Sequence, residues 1–330
     1  MFDPKALGAL FEQFDSMKVL VIGDVMIDAY LWGKVDRISP EAPVPVVEVN
    51  RNESRMGGAA NVALNLMSLG AEPIICSAIG EDPKGDLFLD LMEKRSFSTD
   101  GIIRSNNRST TCKTRIISGG QQILRVDEEM TKELDVRVEK LLIRKVVDHI
   151  ETGDVDAIIF EDYNKGVLTA NVIRTIIKKT NEASIPTCVD PKKANFFEYK
   201  NCTLFKPNLK EIKEGIKQDF DVEKPEQLLN AVVSMEEKID NEYSLVTLSE
   251  HGVFVKHSDH FETIPAHRRE ILDVSGAGDT VISVAALALA AKCNASQIAA
   301  LANLAGGQVC ERVGVVPVSK TQLLHEAAEL

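Results

Sequence analysis

The feature that most restricts this chain is its alternation of short apolar runs with segments of helical periodicity. Lys18–Gly23 (KVLVIG) is continuous, β-branched and closed by glycine, the pattern of a strand buried on both faces. Similar runs fall at Glu72–Ile79, Val155–Phe160, Thr187–Val189, Cys202–Phe205 and Ser244–Leu248. Among them, Ala59–Leu69, Gly85–Lys94, Leu134–Ile150, Ala170–Thr180 and Gln227–Ile239 repeat apolar residues at helical spacing. Strands buried on both faces need cover on both faces. A chain that alternates strand with helix supplies it, as a mainly parallel sheet between two helical layers. The predicted class is therefore α/β, with residues 1–330 forming one domain. In such sheets ligands bind beyond the carboxyl ends of the strands.

Two stretches break the alternation. Tyr30–Asn50 has three prolines and extended character, and Ile102–Asp127 holds two strand-like pieces, Thr111–Ile117 and Gln122–Val126, around Gly119-Gly120. With no helix between them, they predict a small β-layer, a lid built from about 30–50 and 102–127.

Composition excludes several functions. Lys and Arg number 38 against 50 Asp and Glu, a net charge of −12 with no basic block. Nucleic-acid binding, which needs clustered positive charge, is not expected. The longest apolar run, near 281–291, is well short of the ~18 residues of a membrane span. The acidic N-terminal stretch lacks the basic start of a secretory signal. The six cysteines form no Cys-x-x-Cys pair and the six histidines show no metal spacing. The expected location is a reducing cytoplasm.

Asp273-Val-Ser-Gly-Ala-Gly-Asp-Thr280 runs into the helical stretch Val281–Ala291. Its glycines let the backbone turn tightly, and the first-turn N–H groups of the following helix form an anion site. Asp279 then stands in that turn, where a carboxylate accepts a hydroxyl proton or simply stabilises the helix end. The same helix end is expected to lower its pKa. No Gly-x4-Gly-Lys-Ser/Thr loop is present, and the 276–281 segment has two of the three glycines of a dinucleotide fingerprint.

Other groups fall at predicted strand ends. Met56-Gly-Gly-Ala-Ala-Asn61 opens a helix and offers Asn61 to hydroxyls, or is a plain helix start. Asp24 and Asp28 follow the first strand, as hydroxyl ligands or turn formers. Glu161-Asp162-Tyr-Asn-Lys165-Gly166, Asp190-Pro-Lys192 and Lys206-Pro-Asn208-Leu-Lys-Glu211 follow three others. Glu211 either orients magnesium through water or forms a capping pair with Asn208. Arg104, Arg108, Lys113, Arg115 and Arg125 gather in the inserted β-layer, which suits a substrate that carries its own phosphate or an ordinary solvated strand face.

Together, Asp273–Asp279, Gly57-Gly58 and Asn61 resemble the ribokinase-like (PfkB) carbohydrate kinases over essentially the whole chain. Arg37–Val46 (RISPEAPVPV), Met56–Asn61, Gln121–Asp127, Asp162–Gly166 and Asp273–Thr280 are similar, more narrowly, to the members that phosphorylate D-glycero-D-manno-heptose 7-phosphate. The resemblance implies a ribokinase-like fold with a β lid that mediates a homodimer. It implies ATP with Mg²⁺, leaves room for a monovalent cation, and gives a heptose 1,7-bisphosphate for ADP-heptose and lipopolysaccharide core synthesis. It implies Asp279 as base, with Gly276, Ala277 and Gly278 as anion hole. Asn208, Leu209, Lys210 and Glu211, with Ser249, Gly252, Asp273 and Asn303, become nucleotide contacts. Asp24, Asp28, Gly57, Gly58, Asn61, Arg115, Arg125, Asp162 and Lys165 become sugar-phosphate contacts. Glu161 and Ser275 stand where the resemblance leads one to expect Ser and Thr. No His-x-Gly-His motif of a fused adenylyltransferase is found, so a separate one is expected. A kinase of the same fold for fructose 6-phosphate, tagatose 6-phosphate or ribose, or a non-catalytic sensor, are the alternatives.

Overall fold

The computed structural model describes residues 3–330. Helix α1 (Pro4–Phe14) leads into β1 (Lys18–Gly23), the strand on which the architecture is organised. The chain then makes a long hairpin, β2 (Val25–Ile38) and β3 (Pro45–Gly58), followed by α2 (Ala59–Ser68), β4 (Glu72–Gly80), α3 (Pro83–Glu93) and β5 (Ile102–Ser105). A second hairpin, β6 (Cys112–Ser118) and β7 (Gln121–Glu128), precedes α4 (Val136–Thr152). Alternation resumes with β8 (Ala157–Glu161), α5 (Ala170–Ala183), β9 (Thr187–Asp190), β10 (Leu204–Phe205), α6 (Leu209–Ile216), α7 (Pro225–Ile239) and β11 (Tyr243–Thr247). The hairpin β12 (Val253–His257) and β13 (His260–Ile264) is followed by α8 (Ala277–Ala290), α9 (Ala295–Cys310) and α10 (Lys320–Ala327).

The main sheet has the order β13-β12-β11-β10-β9-β8-β1-β4-β5. All neighbours run parallel except the β11–β12–β13 edge. From β1 the chain first builds outward through β4 to β5, then returns to the other side of β1 at β8. The switch between β1 and β8 opens a crevice at their carboxyl ends, the place where such sheets bind ligands. Two apolar layers enclose the sheet. One contains buried residues of α1, α2, α3 and α8–α10, and the other those of α4–α7. Helix α8 is apolar on all sides because it is buried on all sides, so only its N-terminal tip can meet a ligand.

The small sheet has the order β3-β2-β6-β7. Gly119 and Gly120, at φ 59° and 78°, form the tight turn between β6 and β7. Its bounds differ from the sequence expectation. Ile102–Ser105 pairs with β4 in the main sheet, while the first hairpin reaches inward to Val25 and Gly58. The cause is that Val25–Trp32 is itself a good strand sequence, so the chain passes from one sheet to the other with only Asp24 between.

Candidate active site

The tip of α8 is set by its approach loop. Asp273 accepts the Ser275 N–H at 2.9 Å and the Gly314 N–H at 2.8 Å, which ties that loop to the segment before α10. Gly276 follows at φ 81°, a left-handed conformation that favours glycine, and a Cβ there would come within 2.9 Å of Asn61 Nδ2. Beyond it, the N–H groups of Gly278 and Asp279 have no backbone acceptor among the described residues. Unpaired first-turn amides at the positive end of a helix attract negative charge.

Asp279 is 6% exposed. Its Oδ2 accepts Asn61 Nδ2–H at 2.6 Å, and its Oδ1 accepts the Tyr163 hydroxyl at 2.8 Å. Burial pushes its carboxyl up to about 6, although the Asn61 and Tyr163 hydrogen bonds hold it down. The expected depression by the helix end is overturned because the two effects differ in size. A helix end supplies about 1 to 2 kcal/mol, roughly one pKa unit, whereas full burial of a carboxylate moves it by as much as about three to five. Among the described residues Asn61 Oδ1 is buried without a partner, an acceptor left for a hydroxyl donor.

Around this pair the ends of three strands converge. Glu161 closes β8 and Asp190 closes β9, and one carboxylate oxygen from each of Glu161, Asp190 and Asp279 lies within 4.8 Å of the other two. Lys206, just past β10, reaches Asp190 Oδ2 at 2.9 Å. Lys192 reaches Asp190 Oδ1 at 3.3 Å and Glu211 Oε1 at 2.6 Å. Glu211 Oε2 also accepts the Asn208 N–H, while Asn208 Oδ1 accepts the Glu211 N–H, each at 2.8 Å. The capping pair anticipated from sequence is thus formed. On the far side of the α8 tip, a cleft of about 570 Å³ is lined by Ser249, Gly252, Asn303 and Gly306 together with Ala277 and Gly278. That volume suits a nucleotide-sized ligand.

A family model described as pfkB family carbohydrate kinase matches residues 16–322. The chain belongs to this family. As a carbohydrate kinase it uses ATP as the phosphoryl donor. It is 39% identical over 329 residues to the bifunctional protein HldE of Pelobacter propionicus, covering 99% of this chain and 66% of that protein. The chain thus spans just under two thirds of that curated relative's length. Among solved structures, phosphofructokinase-2 from Escherichia coli in complex with potassium matches with a TM-score of 0.77 at 15% identity, over 95% of this chain and 99% of that one. Ribokinase from Arabidopsis thaliana complexed with ribose and ATP matches with a TM-score of 0.72 at 17% identity, over 94% and 99%. The ribokinase-like α/β fold anticipated from sequence is the one observed. Among the described residues, no helix of this kinase is long and apolar enough to cross a membrane.

The remaining residues singled out from sequence divide into groups. Asp24 is buried and its carboxylate is occupied by backbone, accepting the N–H groups of Tyr163 (2.9 Å), Lys165 (3.0 Å) and Val167 (3.0 Å). It shapes the loop that delivers Tyr163 to Asp279. Asp162 is held by Tyr199 O–H at 2.8 Å and the Asn164 N–H at 2.7 Å, and burial pushes its carboxyl up to about 6. Asp28 lies within β2 and pairs with Arg115. Gly57 and Gly58 leave room beside Asp28 Oδ2 and Asp24 O, which a Cβ would approach to 2.1 and 2.3 Å. Arg125 stands directly across the β6–β7 ladder from Arg115, but its guanidinium binds Asp127 at 2.8 and 2.9 Å. Lys165 pairs with Glu129 at 2.8 Å. Leu209 and Lys210 open α6, with Lys210 exposed beside Glu214. Sequence reasoning did not select Tyr163, Asp190, Lys192, Lys206 or Arg55, though the first four sit in segments it had placed at strand ends. Arg55 and Arg115 flank the Tyr30 ring at 5.1 and 5.3 Å, and Arg55 also lies against the 313–315 loop.

Proposed function

We propose that this kinase moves the γ-phosphoryl group of ATP to the anomeric hydroxyl of D-glycero-D-manno-heptose 7-phosphate. The product is the 1,7-bisphosphate, a precursor for ADP-heptose and lipopolysaccharide core synthesis. The observation that carries the catalytic part is the pairing of Asp279 with Asn61 at a glycine-opened helix tip, with Asn61 Oδ1 unpartnered among the described residues. The heptose assignment is supported by the RISPEAPVPV stretch and by the identity to HldE.

In this reading Asp279 accepts the proton of the anomeric hydroxyl. The sugar oxygen bonds to the γ-phosphorus as the bond to the β,γ-bridging oxygen breaks. A carboxyl near 6 is ionised at neutral pH yet more basic than an exposed aspartate, which suits proton transfer. Asn61 Oδ1 accepts a sugar hydroxyl, and the amides of Gly278 and Asp279 meet the charge of the migrating group. The nucleotide occupies the cleft of Ser249, Gly252 and Asn303, with its phosphates toward Asn208 and the α8 tip. Mg²⁺, when bound, neutralises phosphate charge. Each Glu211 oxygen carries one protein donor and keeps lone pairs for a metal-bound water, so Glu211 fits that role. Arg115, with Arg55, supplies the charge for the substrate phosphate. The β2–β3 and β6–β7 hairpins act as the lid. Ile123, Leu124 and Val126, 41–53% exposed on edge strand β7, support pairing of two copies there.

A sugar panel with ATP, read by phosphorus NMR, tests the assignment. Heptose 7-phosphate is expected to exceed fructose 6-phosphate, tagatose 6-phosphate and ribose in kcat/KM by about 10²-fold or more, as pockets that bind polar groups discriminate strongly. Turnover confined to unphosphorylated sugars would sink it.

A further inference from the structure

Arg108 stands in the connection between β5 and β6. Arg115, on β6, lies against the Tyr30 ring, but Arg108 reaches the loop 163–167, where its Nη2–H donates to Lys165 O at 2.6 Å. Among the described residues it is the only side chain that donates to a carbonyl of that loop. The Leu134 N–H adds a backbone bond to Gly166 O at 3.1 Å, and Asp24 takes the N–H groups of Tyr163, Lys165 and Val167. The loop needs such holding. Asn164 sits at φ 54°, a left-handed conformation that a non-glycine residue keeps only where its surroundings impose it. Arg108 is not placed to take a sugar phosphate. The cavity it lines measures about 50 Å³, with Lys132, Glu133 and Asp135 as its other charged groups, and has room for about one or two waters.

We propose that Arg108 is a positioning residue for phosphoryl transfer: its guanidinium holds Lys165 O and faces the charge of Asp24, and so keeps the Tyr163 hydroxyl on Asp279 Oδ1. The proposal rests on the reading of Asp279 as the base. Arg108 acts on the loop in two ways. The first is the direct bond to Lys165 O, a charge-assisted one. The second is electrostatic. Asp24 and Asp162 are both buried, and the negative charge of Asp24 raises the Asp162 carboxyl. Burial likewise pushes the Asp24 carboxyl up, while its three backbone N–H donors and the charge of Arg108 pull it back down. A protonated Asp24 would turn an O–H toward a loop that offers it N–H donors, and one of its acceptor sites would be lost. Arg108 therefore helps to keep Asp24 in the form that the loop can bind. Asp279 itself is faced by Asn61, Tyr163, Glu161, Asp190 and Lys206. Arg108 is tied to one of these, Tyr163, through the loop.

Arg108→Met keeps an apolar stem and removes the guanidinium. Hydrogen exchange of the full chain, read by mass spectrometry on the peptide across 162–168, should quicken about tenfold, the worth of one hydrogen bond to a charged group, while α8 stays protected. The acid limb of kcat/KM near pH 6 should move upward by up to about one unit, with KM for ATP unchanged. In a Tyr163→Phe background the same substitution should move the limb no further. Unchanged exchange, or faster exchange with an unmoved limb, overturns the proposal. So does an equal limb shift with and without the Tyr163 hydroxyl, since Arg108 would then reach Asp279 by another route. Arg108→Lys keeps a charge beside Asp24 and takes the place of the methionine variant if that one does not fold; wild-type exchange in it overturns the proposal. Turnover that survives in Asp279→Asn would sink the base and not the hold on the loop, which the exchange measurement decides by itself.

Discussion

Replacing Asp279 with asparagine separates what the fold needs from what the reaction needs. In the wild type, burial lifts the carboxyl from 3.8 to about 6. About two units at 1.36 kcal/mol each make roughly 3 kcal/mol. The sign follows from proton binding: the folded chain binds this proton more tightly than the unfolded chain. The cost is absent below pH 3.8, grows between 3.8 and about 6, and is full above that. Asparagine has no charge to desolvate and removes the cost at neutral pH. It also places an NH₂ where one of two donors, Asn61 Nδ2 or the Tyr163 hydroxyl, now lacks its acceptor, at about 1–3 kcal/mol. The net effect is between nothing and about 2 kcal/mol of stabilisation, a Tm rise of at most a few degrees. Turnover should instead fall by about 10²- to 10⁴-fold, the contribution of a positioned base. Coupled detection of ADP gives kcat, calorimetry at pH 7.5 and 5 gives Tm, and titration with ATP shows that binding survives. Near-normal turnover would remove Asp279 from the mechanism. A Tm loss of several degrees at pH 7.5 would show that the carboxylate anchors the fold.

Three further outcomes follow from neighbouring groups. Wild-type kcat/KM should rise with pH through about 6 and then level off, as Asp279 loses its proton; Tyr163→Phe removes a hydrogen bond that holds the carboxyl down and should move that limb to higher pH, by about one unit. Gly276→Ala meets both the left-handed backbone and Asn61 Nδ2, and should cost about 1–3 kcal/mol in a denaturant titration and lower kcat; unchanged stability would mean that the turn relaxes freely. Arg115→Ala should raise KM for a phosphorylated sugar about tenfold or more while leaving KM for ATP unchanged; equal loss toward unphosphorylated sugars would place the arginine away from the substrate phosphate.

Local patterns fixed what local physics controls. KVLVIG became β1, the apolar stretch after Asp279 became the buried α8, and Gly119-Gly120 became the hairpin turn. The glycine turn, Asp279 and Asn61 were recognisable because a helix tip is written in a few consecutive residues. What escaped depends on contacts across the sheet. Tyr163, Asp190, Lys192 and Lys206 lie at the ends of different strands, and only the strand order brings them together. From sequence Asp24 reads as a hydroxyl ligand or a turn former, and only the fold shows that the loop 163–167 comes back and uses its carboxylate as an acceptor. The pKa of Asp279 was misjudged in direction because a helix end is visible in sequence and complete burial is not.

A crystal structure with the sugar phosphate and a non-hydrolysable ATP analogue tests the central claim most directly. The account predicts an Asp279 oxygen within about 3 Å of the acceptor hydroxyl and the terminal phosphate against the amides of Gly278 and Asp279. An Asp279 side chain remote from every sugar oxygen, with the nucleotide outside the cleft of Ser249, Gly252 and Asn303, would contradict it.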